Sequence, residues 1–204
     1  MIKEKIIKYI EPLLKFIIIG LLGILLHFLY ELTNESIYVS IISSINESIW
    51  EHMKIFFMSV IIMTIFELII KLIVTNKQDI KDTSDKSKYN KINIRKVNYF
   101  NRFICTLIGV ILIPILYYSY TGIFGENNDI VNISIFYIAT LLFCVFDYKL
   151  SNNFNNTKSY KEYIGIVFIF FIFILFIVWT FMPPHIPIFQ DPMSLTYGYS
   201  KISF

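Results

Sequence analysis

Five blocks of about twenty mostly apolar residues dominate this chain of 204 residues. A helix of about 20 apolar residues crosses the roughly 30 Å hydrocarbon core of a bilayer. Lipid offers the backbone no hydrogen-bond partners, so such blocks form helices even where isoleucine and phenylalanine are frequent. The sequence therefore predicts an all-α polytopic membrane helix bundle, organised as a single membrane domain over residues 1–204. Its transmembrane helices are predicted near 13–32, 49–74, 103–121, 130–148 and 162–182.

Lysine and arginine alternate between the segments that connect these blocks. They occur before the first block, between the second and third, and between the fourth and fifth. The segments 33–46 and 122–129 contain neither residue, and the tail 183–204 contains only Lys201. Cytoplasmic loops of membrane proteins carry an excess of basic residues. We therefore predict a cytoplasmic amino terminus and an outer carboxyl terminus, which places the tail 183–204 at the outer face.

The overall charge excludes one class of partner. The net charge is +3, from 18 basic and 15 acidic residues, and the basic residues lie in loops between the apolar blocks. A nucleic-acid-binding protein instead concentrates basic residues on one folded face. We expect membrane lipids as partners and no nucleic acid, and a homo-oligomer remains an open alternative.

An unusual group of polar residues occurs at the start of the second block. On a helix Glu47, Glu51 and Lys54 form one polar stripe, while His52 lies on a neighbouring stripe. Two adjacent polar stripes cannot both face lipid, so they need a polar cavity, a partner helix or interfacial water. Asn46 suits a helix cap, and Trp50 suits the membrane interface. We assign positioning roles to Asn46, Trp50 and Lys54.

All three histidines of the chain fall on the predicted outer side. His27 lies within the first block, where an ionisable group costs free energy unless it is paired or faces a cavity. His52 belongs to the polar group, and His185 lies in the segment MPPHIPIFQDP, which also contains Asp191. The prolines of this segment prevent a helix. We predict a structured outer tail that folds over the helix ends.

Two long motifs connect the chain to a family. NESxWEHxK and PPHIPxFxDP, followed by Tyr-Gly, make the whole chain similar to small bacterial integral membrane proteins known as domain of unknown function 6512. The resemblance implies a multi-pass protein of the bacterial plasma membrane and no particular activity. One departure is Ser194-Leu195, where the family pattern has a glycine turn. The matching residues are Asn46, Glu47, Trp50, Glu51, His52, Lys54, His185, Asp191, Tyr197 and Gly198.

We favour a metal-dependent membrane hydrolase or transferase that acts on a lipid or cell-envelope substrate at the outer face. Imidazole and carboxylate side chains are the ligands of catalytic zinc, which keeps a position open for water. Glu47 and Glu51 are the predicted catalytic carboxylates. Adjacent Glu-His differs from the His-Glu-x-x-His arrangement of known metalloproteases. The predicted ligands of zinc or another divalent metal are His27, His52, His185 and Asp191.

Two other interpretations remain open, so the sequence does not decide whether the protein is an enzyme. In the first, Glu47, Glu51 and Lys54 line the polar entrance of a transporter or binding protein. In the second, the polar motif and the tail form a hydrogen-bonded network that holds the outer helix ends together.

At the predicted inner end, two acids each precede a lysine along the chain. Glu67 and Lys71 are one helical turn apart, and Asp147 and Lys149 are two residues apart. We predict a local ion pair for each acid.

Overall fold

A computed structural model of the chain describes residues 2–82, 97–153 and 159–199, with side chains for 10–74, 97–150 and 160–199. Within these ranges the elements are α1 (Ile2–Leu32), α2 (Ile37–Ser40), α3 (Ile49–Asp82), α4 (Tyr99–Phe124), α5 (Asp129–Asn153), α6 (Ser159–Phe181) and a 3₁₀ turn (Pro187–Phe189).

The predicted all-α fold with five membrane helices is confirmed. Five helices contain segments long and apolar enough to cross a membrane, so the chain is a multi-pass membrane protein. Those segments are 10–32, 49–74, 99–124, 129–150 and 160–181. The predicted orientation remains a prediction, since most of the basic residues on which it depends lie outside the described side chains. The last five residues of the predicted tail, 200–204, also lie outside the described part.

Helices α1 and α5 approach each other closely at two glycines. A Cβ atom on Gly20 would lie 2.9 Å from the ring of Tyr137, and one on Gly23 would lie 2.3 Å from the ring of Phe136. Small residues at helix crossings in membranes allow such close contact. The two glycines therefore fix the distance between α1 and α5.

The tail lies against the bundle end at which α1, α4 and α6 finish, which we call the tail end. Tyr199 N donates to Thr180 O at 3.1 Å, and Gln190 and Tyr197 form an isolated β-bridge. Leu195 has a φ of 59°, the left-handed conformation that glycine adopts most easily. The turn thus forms with leucine, and backbone hydrogen bonds connect residues 182–199 to one another and to α6.

Charged side chains from four helices meet near the end opposite the tail. We call Lys15, Glu67, Arg102 and Asp147 the opposite-end ionic cluster. Lys15 Nζ lies 2.8 Å from Glu67 and 3.1 Å from Asp147. Arg102 forms a two-pronged pair with Asp147 at 2.8 and 3.1 Å, and also contacts Glu67. These contacts join α1, α3, α4 and α5.

This cluster gives both acids partners on other helices, beyond the local ion pairs that the sequence predicts. The sequence reasoning considered only partners on the same helix. In the structure both acids contact Lys15 of α1 and Arg102 of α4. A buried charge requires an opposite charge with good geometry, and the surrounding helices provide it.

An apolar layer separates this cluster from the tail end. Ile19, Phe56 and Phe143 are buried in it. The ring of Phe56 lies 6.2 Å from that of Phe143 and 6.2 Å from that of Phe136, which is nearer the tail end. The bundle is therefore packed with side chains between its two polar ends.

Candidate functional site

The start of α3 positions the central carboxylate of the site. Asn46 Oδ1 accepts a hydrogen bond from Ser48 N at 3.0 Å, and Ser48 Oγ accepts one from Glu51 N at 3.4 Å. Ser48 is therefore the N-cap of α3, and Glu47 lies immediately outside the helix. Asn46 Nδ2 also donates to Gly198 O of the tail at 3.5 Å.

Two of the three histidines meet at this carboxylate. His27 Nε2 lies 3.5 Å from Glu47 Oε1, and His52 Nε2 lies 3.5 Å from Glu47 Oε2. The two imidazole rings are 5.7 Å apart between centroids. One ligand atom from each of these residues lies within 4.8 Å of the other two. We call His27, Glu47 and His52 the imidazole–carboxylate cluster.

The contact of His52 with Ser48 bears on the hydrogen positions in this cluster. His52 Nδ1 lies 2.9 Å from Ser48 O, which can only accept, so Nδ1 carries a hydrogen. In a neutral ring Nε2 then presents a lone pair toward a carboxylate oxygen 3.5 Å away. Two acceptors face each other unless a proton or a metal ion lies between them. A single protonated imidazole would satisfy one of the two contacts with Glu47, and one divalent ion would satisfy both.

The spacing suits a transition-metal site. Bonds of 2.0–2.2 Å in a tetrahedral zinc site place neighbouring ligand atoms roughly 3.4 Å apart. The two nitrogen-to-oxygen distances, each to a different oxygen of Glu47, are 3.5 Å, and one ligand atom from each residue lies within 4.8 Å of the other two. Two histidines and one glutamate form a known ligand set of catalytic zinc, with the fourth position open. The hydrogen bond from His52 to Ser48 is the outer-shell contact that usually orients such a ligand.

The cluster lines a cavity of about 550 Å³ at the tail end, between α1, α3, α4 and α5. Most of its wall is apolar. Three polar residues from the end of the α4–α5 loop and the first turn of α5, Asn127, Asp129 and Asn132, line it together with Tyr117. Pro192 and Met193 of the tail also border it. Of the alternatives given for the polar stripes, the structure contains a cavity, and its walls are mostly apolar.

Sequence reasoning did not select the α4–α5 residues as site residues. Asn127, Asn132 and Tyr120 are connected by hydrogen bonds of 2.6–3.0 Å. The sequence did indicate that segment 122–129 lies on the same predicted side of the membrane as the polar motif at the start of α3. That signal locates a loop but does not show which of its side chains line a cavity.

Glu51, a predicted catalytic residue, forms a buried ion pair with Lys54. The side chains are 2% and 0% exposed. Glu51 also accepts from Ile45 N and Thr180 Oγ1, each at 3.1 Å. Lys54 Nζ donates to Ser40 O and Thr180 Oγ1, each at 2.9 Å. The pair therefore joins the start of α3 to the end of α6.

Trp50 packs into an aromatic group. Its ring centroid lies 4.6 Å from Phe176, 5.0 Å from Trp179 and 4.7 Å from Phe189. These residues belong to α6 and to the 3₁₀ turn of the tail. Trp50 is buried, so it positions α3 against α6 and the tail rather than marking the membrane interface.

His185 and Asp191, two predicted metal ligands, have partners within the tail. His185 is exposed and its ring lies 4.7 Å from that of Tyr197. Asp191 is buried, and its carboxylate accepts from Met193 N at 3.0 Å and from Ser194 N at 3.3 Å. Among the described residues, the group with metal-ligand spacing contains His27, Glu47 and His52.

Comparison with known proteins gives a family without an assigned activity. A family model described as a family of unknown function, DUF6512, matches residues 2–199. No match was found among curated proteins or among solved structures.

Proposed function

Because the chain belongs to the family of unknown function DUF6512, we propose a function from the geometry of the site. The protein is a metal-dependent membrane hydrolase or transferase that acts on a lipid or cell-envelope substrate at the outer face of the plasma membrane. His27, Glu47 and His52 hold zinc or another divalent ion. This orientation rests on the distribution of lysine and arginine between the loops.

One observation carries the proposal: two imidazoles face a single carboxylate at 3.5 Å each, on the wall of a cavity large enough for a substrate. Cavities of roughly 300–1,000 Å³ are typical of ligand sites. A polar cluster that only stabilised the fold would not need a cavity of this size beside it.

The chemistry follows from the ligand set. A divalent ion bound there would polarise a substrate oxygen and favour ionisation of water. In hydrolysis, the water oxygen bonds to the carbonyl carbon or phosphorus, and the bond to the leaving oxygen breaks. One hydrogen of the water passes to the leaving oxygen, and the other remains with the product acid. As a ligand of the ion, Glu47 would have its carboxylate engaged, so we assign it to metal binding and not to proton transfer. In a transferase, an acceptor hydroxyl replaces water.

The packing below the cavity favours this function over transport. Phe56 and Phe143 fill the bundle between the cavity and the opposite-end ionic cluster. A substrate crossing the membrane would have to displace both this layer and the ion pairs beneath it. A substrate processed at one face needs neither movement.

Metal content of variants tests the proposal. We expect about one equivalent of zinc, manganese or a similar ion in the purified protein, measured by elemental mass spectrometry after mild detergent extraction. Glu47→Gln and His52→Ala should lose most of it, because removing one of three ligands weakens binding by orders of magnitude. His185→Ala is the matched control and should retain the ion.

Two results would contradict the proposal. The first is a wild-type protein that contains no transition metal and binds none tightly on titration with zinc. The second is equal metal content in Glu47→Gln, His52→Ala and wild type. Loss of metal in His185→Ala alone would instead assign the site to the tail.

A further inference from the structure

The cavity opens toward lipid. Ile24 and Phe28 of α1 and Ile133 of α5 line it, and all three are also exposed on the outside of the bundle. They belong to the apolar segments 10–32 and 129–150, which are able to cross a membrane. A side chain that borders a cavity and is also exposed marks its opening. These three residues mark an opening between α1 and α5 on an apolar surface, and Asn127, Asp129 and Met193, which also line the cavity and are exposed, mark a second opening at the tail end.

The glycine contact limits this opening from below. At Gly23, α1 is so close to Phe136 of α5 that a Cβ atom would lie 2.3 Å from the ring. Ile24 and Phe28 follow directly toward the tail end. The opening between α1 and α5 therefore lies between the glycine contact and the tail end, where the imidazole–carboxylate cluster also lies.

The interior combines an apolar wall with polar groups at one end. Ile55, Ile113 and Ile135 line the cavity as buried side chains. The imidazole–carboxylate cluster lines it as well. This arrangement suits a molecule with a hydrocarbon chain and an oxygen-bearing headgroup, because apolar surface favours the chain and a divalent ion favours oxygen ligands.

We propose that the substrate is a membrane phospholipid that enters sideways between α1 and α5. Its acyl chain lies against Ile55, Ile113 and Ile135, and a carboxyl or phosphate ester lies at the imidazole–carboxylate cluster. This inference rests on the proposed function. An ion held by two neutral imidazoles and one carboxylate keeps a net positive charge, which attracts the ester and phosphate oxygens that a phospholipid carries.

Photocrosslinking from within the bilayer tests the position of the chain. The full-length protein is placed in nanodiscs that contain phosphatidylglycerol with a diazirine in one acyl chain, and labelled residues are mapped by peptide mass spectrometry. Ile113 and Ile135 are 4% and 5% exposed, so surrounding lipid cannot reach them. We expect both to be labelled. Val110 of α4, equally buried but not on the cavity wall, should remain unlabelled.

A matched pair of variants tests the route. Ile133→Trp places a larger side chain at the opening and should reduce labelling of Ile113 and Ile135 about tenfold. Ile138→Trp lies on the same helix, exposed and away from the cavity wall, and should leave that labelling unchanged. Absence of labelling at Ile113 and Ile135 in the wild type would overturn the proposal. Equal labelling in the two variants would do the same.

Two further measurements distinguish failure of the lipid proposal from failure of the proposed function. They are competition by a probe without acyl chains and determination of metal content. Glycerophosphoglycerol, which has the headgroup without acyl chains, should not protect Ile113 from labelling, while dioctanoyl phosphatidylglycerol should. Protection by the chain-free probe would contradict recognition of the chain. Metal content measured on the same samples reports on the proposed function alone. Bound metal without interior labelling refutes the lipid route, and interior labelling without metal refutes the metal-dependent reaction.

Discussion

Replacing Lys54 by methionine should destabilise the bundle strongly without removing the metal. Lys54 is fully buried and Glu51 is 2% exposed. Lys54→Met keeps most of the side-chain volume but leaves the Glu51 carboxylate buried without its cation. Removing one partner of a buried ion pair costs about 3–5 kcal/mol. The remaining hydrogen bonds from Ile45 N and Thr180 Oγ1 favour the lower part of this range.

The assay is equilibrium unfolding in mixed micelles of sodium dodecyl sulfate and dodecyl maltoside, followed by circular dichroism. Lys149→Met is the matched control, because Lys149 is an exposed lysine in a membrane helix. Substitutions at such surface positions usually change stability by less than about 0.5 kcal/mol. The double variant with Glu51→Gln should be more stable than Lys54→Met alone, because the unpaired charge is gone.

Metal content is the second property to be measured for the Lys54 and Glu51 variants. The pair contacts Thr180 and the segment before α3, so we expect Lys54→Met and Glu51→Gln to retain the ion in the folded fraction. Equal stability of Lys54→Met and Lys149→Met would refute the assignment of the pair to structure. A Glu51→Gln protein that is as stable as wild type but has lost its metal would also refute this assignment, because Glu51 would then belong to the metal site.

Three further predictions test the packing and the orientation. Gly23→Ala should destabilise the protein by about 1–3 kcal/mol in the same assay, because its Cβ would lie 2.3 Å from the ring of Phe136. Gly122→Ala is the control and should be tolerated, because a Cβ at that position would have no atom within 4 Å. Arg102→Met should cost about 3–5 kcal/mol, because two acids then share Lys15; a loss below about 1 kcal/mol would refute a structural role for the cluster. His185→Cys should react with a membrane-impermeant maleimide added to intact cells, since both native cysteines are buried; reaction only after lysis would reverse the predicted orientation.

Local patterns in the sequence were sufficient for the helices and for part of the site. The lengths of the apolar blocks predict five spans, because the thickness of the bilayer sets the length of a membrane helix. The prolines predict a non-helical tail, since each fixes φ and removes a hydrogen-bond donor. The segment around Glu47 and His52 stands out because polar groups are costly at the edge of an apolar helix. None of these arguments requires knowledge of which helices touch.

Contacts between helices account for what the sequence did not reveal. His27 lies close to Glu47 and His52, whereas His185 packs on Tyr197. The sequence shows where each histidine occurs but not which side chains surround it. Glu67 contacts Arg102, 35 positions away in the chain, and no local pattern around Glu67 indicates this partner.

The physical reason is that lipid is as apolar as the helix surfaces, so the hydrophobic effect does not select which faces pack together. Close approach at small residues such as Gly20 and Gly23, and pairing of buried charges, make that selection. The glycine contacts and the charge pairs depend on how whole helices are rotated and spaced relative to one another. The local sequence of a single helix does not determine that arrangement. The tertiary structure therefore decides which polar side chains share a cavity and which hold the bundle together.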